Sequence, residues 1–270
     1  GEKMEQNPIT EKTRIFYSRT YRRLSFSGKA GLMYLLLLIL PAMAVILAGY
    51  GRFTGWMSAV SLEVLNQALP ALEAGSKPVA IMPWVEPMTM VTLETVLPSR
   101  QFLVLNLVAA AGGLAVLWGF PWRSRPLSIF LSIQILIHSI SCLYFYLTPG
   151  TYPYSASDYS ELYLRQQLGV LLFFLLLSGF LTLFPEPGTM LLRLGTVALI
   201  LGYALVFGMV RYVVFLYILG RFSVLYMPAM FFTLGPVLDY LYLVALYGFY
   251  LYRLIKKNES PQGKRRWVWS

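Results

Sequence analysis

Six stretches of the chain stay apolar for about the 20 residues that a helix needs to cross the hydrocarbon core of a bilayer. The first runs from about Leu32 to Tyr50 and opens with a run of leucine and isoleucine. The others lie near Phe102–Trp118, Leu127–Leu147, Leu168–Phe184, Leu194–Leu219 and Phe231–Tyr252. Between the first two spans the pattern changes twice. Trp56–Leu72 places Met57, Val60, Val64, Leu65 and Leu72 at three- and four-residue spacings, which predicts a short amphipathic helix resting on the membrane surface. After Gly75, Val79–Leu97 is rich in Val, Thr and Met and lies among Pro78, Pro83, Pro87 and Pro98, which favours extended backbone over helix. Extended backbone cannot face lipid with its amides unpaired. The segment is therefore expected to pack as a cap on the span ends, as in a hairpin. A second loop on the same side, Tyr152-Pro153-Tyr154 through Tyr159, is rich in interfacial aromatics. The pattern predicts an all-α membrane protein of about six transmembrane helices with a small extracytoplasmic cap. Its parts are a basic tail 1–30, a membrane domain 31–252 that includes the cap 51–100, and a second basic tail 253–270.

Composition removes the alternatives. Hydrophobic residues make up 57% of the chain and charged residues 13%, about half of the roughly 25% carried by a soluble domain. A single cysteine rules out a disulfide scaffold. The net charge of +10 could point to nucleic acid, but sixteen of the 22 Lys and Arg lie in the two tails and two short loops on one face. Those loops are Pro121–Pro126 and Pro185-Glu186-Pro187-Gly188, the latter followed by Arg193. The positive-inside rule makes that face cytoplasmic and its partner the anionic lipid surface, with no nucleic acid involved. The expected location is a bacterial cytoplasmic (inner) membrane, with both termini cytoplasmic. A long basic tail precedes the first span, which is therefore not read as a cleavable signal. That tail interleaves Arg14, Arg19, Arg22 and Arg23 with Ile15, Phe16, Tyr17, Tyr21 and Phe26, suiting either a helix in the headgroup layer or a flexible basic tail.

Two charges fall inside spans, where each costs roughly 2.5–3.5 kcal/mol on insertion scales. Arg211 lies late in the fifth span and Asp239 early in the sixth, equidistant from Leu225. An antiparallel hairpin then brings them to one depth, in the outer half of the bilayer. They are read as a buried ion pair, or as an arginine aimed into an outward cavity with Asp239 orienting it. Arg165 and Arg221 are expected at the outer rim, where snorkelling accounts for them. The only histidine and the only cysteine, His138 and Cys142, stand four residues apart on one face of the third span. That is the minimal arrangement for an activated thiol, and equally a packed cysteine beside a hydrogen-bonded histidine. One His and one Cys cannot fill a zinc shell, and no phosphate- or dinucleotide-binding glycine pattern occurs, so no cofactor is expected.

Ser160–Tyr252 resembles the C-terminal core of the exosortase/archaeosortase superfamily, membrane-embedded cysteine transpeptidases that process C-terminal sorting signals. Leu168–Phe184 with Pro185-Glu186-Pro187 is similar to the family's first core span and its cytoplasmic turn. Arg211, in Val210-Arg211-Tyr212-Val213-Val214, falls where the family arginine belongs, and Gly220 sits in the outer turn. Phe231-Phe232-Thr233-Leu234-Gly235 resembles the segment that carries the family histidine, with Thr233 in its place. No cysteine lies near Ser160–Arg165, where the nucleophile belongs. The resemblance thus implies a member without the usual nucleophile and base. Such a protein is expected to be a non-catalytic accessory in envelope protein sorting, binding an exosortase or a sorting-signal helix. Two other readings stay open. One is a membrane-embedded transpeptidase or acyltransferase using Cys142 and His138 with Arg211, which makes all three candidate catalytic residues. The other is a transporter or lipid-handling protein whose pathway is lined by Arg211 and Asp239.

Overall fold

A computed structural model describes residues 28–119, 125–183 and 190–259. The basic tail before residue 28, the turns at 120–124 and 184–189, and the tail beyond 259 lie outside the described residues. Six helices are long and apolar enough to cross a membrane: α1 Gly31–Ala68, α2 Arg100–Gly119, α3 Arg125–Leu147, α4 Ala156–Leu183, α5 Met190–Arg221 and α6 Val224–Leu254. An antiparallel hairpin, β1 Ala74–Val79 and β2 Met88–Leu93, lies between α1 and α2, in a register that pairs Ala74 with Leu93 and Val79 with Met88. The chain is a multi-pass helical membrane protein. Six crossings return the end of α6 to the side where α1 begins, opposite the hairpin.

The helices differ in reach. α2 and α3 have 20 and 23 residues, whereas α1 has 38, α4 28, α5 32 and α6 31. At 1.5 Å per residue, 32 residues extend ~48 Å, against a hydrocarbon core of ~30 Å. Charge locates the surplus. α1 is free of charged residues from Lys29 to Arg52, α4 after Arg165, and α5 from Arg193 to Arg211. Arg52, Arg165 and Arg211 thus mark one edge of a charge-free belt. Beyond it α1, α4, α5 and the start of α6 project together and build the cap with the hairpin.

This extends what the apolar pattern marks out. Trp56–Ala68 is helical, as its spacing predicts, but it continues α1 rather than lying on the bilayer. Its buried face, Thr54, Met57, Ser58, Ser61 and Leu65, packs inward. α4 likewise begins a dozen residues before Leu168, started by a cap in which the Ser155 hydroxyl accepts from Asp158 N–H and the Asp158 carboxylate from Ser155 N–H. The turn expected over Gly220–Pro228 is shorter, because Ser223 caps a 3₁₀ turn at Val224–Tyr226 that leads straight into α6.

Two π-helical turns occur, Leu35–Ile39 in α1 and Met230–Leu234 in α6. Each precedes a proline by one residue, Pro41 and Pro236. A proline ring collides with the carbonyl four residues back and offers no N–H. Widening the preceding turn relieves both problems.

Helix side chains satisfy the open edge of β2, and they do so on every second residue. Thr89 N–H donates to Thr54 Oγ1 at 3.1 Å and Thr89 O accepts from Ser58 Oγ at 2.6 Å. Val91 N–H donates to the Tyr212 hydroxyl at 3.0 Å, and Leu93 N–H to Ser157 Oγ at 3.2 Å. Alternate backbone groups of a strand point the same way, so residues 89, 91 and 93 present one edge to three helices while the other edge pairs with β1. Gly51 permits the close approach: a Cβ there would meet Pro87 O at 2.9 Å.

Tyr212→Phe should leave Val91 N–H without its acceptor, at a cost of about 1–3 kcal/mol for a buried orphan donor. Hydrogen exchange in detergent should quicken at Val91 and its neighbours in β2, while the lower halves of α4 and α5 keep their protection.

Candidate functional site

Arg211 and Asp239 meet at the edge of the charge-free belt. Nη1 lies 2.9 Å from Asp239 Oδ1 and Nη2 3.0 Å from Oδ2, a two-pronged pair. Nη1 also donates to the Gly235 carbonyl at 2.9 Å, and Nε to the Tyr163 hydroxyl at 3.0 Å. Four of the five guanidinium N–H groups therefore have partners in the chain. The guanidinium carbon lies 5.4 Å from the centre of the Tyr163 ring and 5.6 Å from that of Phe207. Only 5% of Arg211 and 1% of Asp239 is exposed. The arginine is thus neutralised, hydrogen-bonded and enclosed.

The cradle is built from α4 and α6. Tyr163, Gln167 and Ser160 stand on one face of α4 at three- and four-residue spacings and reach the backbone and side chains of α5. The Tyr163 hydroxyl donates to Gly208 O at 2.6 Å, and Gln167 Nε2 to Ala204 O at 2.8 Å. Gly208 leaves room for the Gln167 amide, which a Cβ at that position would displace. Ser160 Oγ shares a hydrogen bond of 2.6 Å with the Tyr212 hydroxyl, which also holds β2. From α6, the π turn before Pro236 presents the Gly235 carbonyl, and Asp239 follows one turn later.

Toward the termini the α4–α5 interface turns mainly apolar, while on α6 the Tyr242 hydroxyl is buried one turn below Asp239. Beyond Gln167 the α4–α5 interface is Leu171, Phe174, Leu175 and Ile200, all buried. Ser178 and Thr182 there bond carbonyls of their own helix.

His138 and Cys142 occupy a different cluster. Asn106 of α2 donates from Nδ2 to Phe102 O at 2.8 Å, which turns its Oδ1 toward Tyr226 and His138. The Tyr226 hydroxyl donates to Oδ1 at 3.0 Å, and His138 Nε2 lies 3.1 Å from the same oxygen. An amide oxygen only accepts, so Nε2 carries the proton; this tautomer is assigned from the network. The imidazole stacks on the Tyr226 ring at 5.1 Å. Cys142 Sγ sits 3.6 Å from that same Nε2 and is fully buried. A protonated nitrogen cannot take the thiol proton. In this tautomer Nε2 is a donor toward Sγ, the arrangement of a buried thiol beside a hydrogen-bonded histidine.

Arg211 and Cys142, which the enzymatic reading needs together, share no hydrogen bond or ring contact among the described residues. Thr233 faces α3: its hydroxyl lies within hydrogen-bonding reach of Gln134 Oε1 and Ala229 O. Arg165 is tied to its own helix and to the hairpin, through Glu161 at 2.8 Å and Ala80 O at 3.1 Å. No protein-family model, curated protein or solved structure matches the chain.

Removing one partner of a buried pair costs roughly 3–5 kcal/mol, because the other charge is left uncompensated. Arg211→Ala and Asp239→Leu should each lower the thermal midpoint in detergent by several degrees. The double variant Arg211→Met, Asp239→Leu should recover most of the loss. Additive losses would show that the two charges do not act as a pair.

Proposed function

We propose that this chain is a non-catalytic, exosortase-like accessory of envelope protein sorting, which binds an exosortase or a sorting-signal helix in the plane of the membrane. The observation that carries this reading is that four of the five N–H groups of Arg211 are taken up by Asp239, Tyr163 and Gly235. An arginine that stabilises an oxyanion must keep donors aimed at the reacting oxygen, and here four donors are held by the chain itself. The position that matches the family nucleophile has no thiol, and the one Cys–His pair lies in another cluster with its nitrogen already protonated. The span order and the placement of Arg211 support descent from the exosortase-like core. The basic face supports a bacterial inner membrane location with both termini in the cytoplasm.

Deleting the gene in its native host should leave sorting-signal substrates unprocessed, and an exosortase should co-purify with the tagged chain from native membranes. Cys142→Ala and His138→Ala should both restore processing fully. Cleavage of a sorting-signal peptide by the purified chain alone in proteoliposomes, lost with Cys142→Ala, would overturn the accessory reading.

Orientation is tested separately. In a background lacking Cys142, cysteines at Ser76 in β1 and Thr151 before α4 should react with an impermeant maleimide from outside intact cells. A cysteine at Met190, where α5 begins, should react only after permeabilisation. The reverse pattern would put the hairpin in the cytoplasm and remove the sorting role.

A further inference from the structure

The structure assigns a binding site for one anionic phospholipid to a groove between α5 and α6, in the leaflet on the side of the chain termini, independently of the sorting role. The groove has a volume of about 610 Å³ and is walled by Leu192, Leu199, Leu246 and Phe249, with Arg253 and Lys256 at its mouth. No acidic side chain lines it. From Arg193, at the edge of the charge-free belt, it runs along α5 to Leu199, six residues or ~9 Å into the belt. Gly195 is in its lining, and an added Cβ there meets nothing within 4 Å.

Depth and charge identify the occupant. A groove open to hydrocarbon is filled by an acyl chain, since no bulk water reaches it and its two hydroxyls, Thr196 and Tyr250, already donate to the Leu192 and Thr182 carbonyls. The two cations stand where the headgroup of that lipid must lie. Arg253 is braced over the Phe249 ring at 5.2 Å, so its charge is fixed beside the groove. α5 begins at Met190 with no acidic residue in its first turn, so its N-terminal amides and helix dipole face the same region and favour an anion there. Ordinary boundary lipid would meet apolar side chains alone; here a slot for one chain ends at two cations and a helix start.

The test uses the full chain in proteoliposomes of equimolar phosphatidylglycerol and phosphatidylcholine with identical acyl chains. After gentle detergent extraction, native mass spectrometry counts the lipids retained. One phosphatidylglycerol should be retained in preference to phosphatidylcholine, and Arg253→Gln or Lys256→Gln should each lower that preference about fivefold. Gly195→Phe, at a position whose added Cβ meets nothing within 4 Å, should obstruct the groove and abolish retention of either lipid while leaving the thermal midpoint unchanged. Equal retention of the two lipids by the unaltered chain would overturn the site. So would a preference that survives the double Arg253→Gln, Lys256→Gln substitution, or retention unaffected by Gly195→Phe. A lipid-free dimer in the same spectra would instead place a second copy of the chain in the groove, and would also overturn it.

Discussion

A bilayer interior offers no water, so each polar group within or beside it must find its partner in the chain. That requirement organises this structure more than any single apolar contact does, because lipid tails are as apolar as the leucines that face them. Buried hydroxyls turn back on their own helices, as Ser61 does to Met57 O and Thr196 to Leu192 O. The outer edge of β2 is paired by Thr54, Ser58, Tyr212 and Ser157, side chains that three helices bring to it. Arg211 draws on two helices and a backbone carbonyl for the same reason.

These bonds join the cap to the bundle through two consecutive residues of α5. Arg211 binds α6 and Tyr163, whereas Tyr212 binds Ser160 and the strand edge. On α4, Ser160, Tyr163 and Gln167 face residues 212, 208 and 204 of α5, an antiparallel ladder that fixes the register of the two helices. A buried ion pair is a weak source of stability against well-packed apolar residues. What it supplies here is a unique arrangement: sliding α6 by one residue along α5 would separate the two carboxylate oxygens from the two guanidinium nitrogens.

The six spans and the meeting of Arg211 with Asp239 were legible in the sequence, since both follow from apolar runs and from the cost of an intramembrane charge. The cap was legible as a need, because proline-interrupted extended backbone must be paired, but not in its docking. Ser155–Gln167 has a polar composition and so resembles a loop; its helical state rests on the Ser155–Asp158 cap and on burial of Tyr159 and Tyr163 against α5. The cradle was missed for that reason. The signal was present in the four-residue spacing of Tyr159, Tyr163 and Gln167, which puts all three on one helix face. Asn106 gave no signal, since its role depends on α2, α3 and the start of α6 coming together. The π turn that presents the Gly235 carbonyl could have been inferred from Pro236 alone.

The enclosure of Arg211 also limits where a partner can be engaged. To lend its guanidinium to an incoming carbonyl or carboxylate, the arginine must leave Asp239 buried and alone, a change that costs roughly 3–5 kcal/mol. A ligand shifts an equilibrium only by its differential affinity for the two states, so a partner acting through Arg211 would spend several kcal/mol of binding energy before gaining any affinity. The exposed surfaces carry no such cost. Trp84 at the hairpin turn and Trp56 on the projecting part of α1 are both open, at the level where Arg52 and Glu86 bridge the helix and the hairpin at 3.6 Å. Surfaces that a partner could engage without that cost are those of the cap and of the lipid-facing helices. The ion pair beneath holds those surfaces in register.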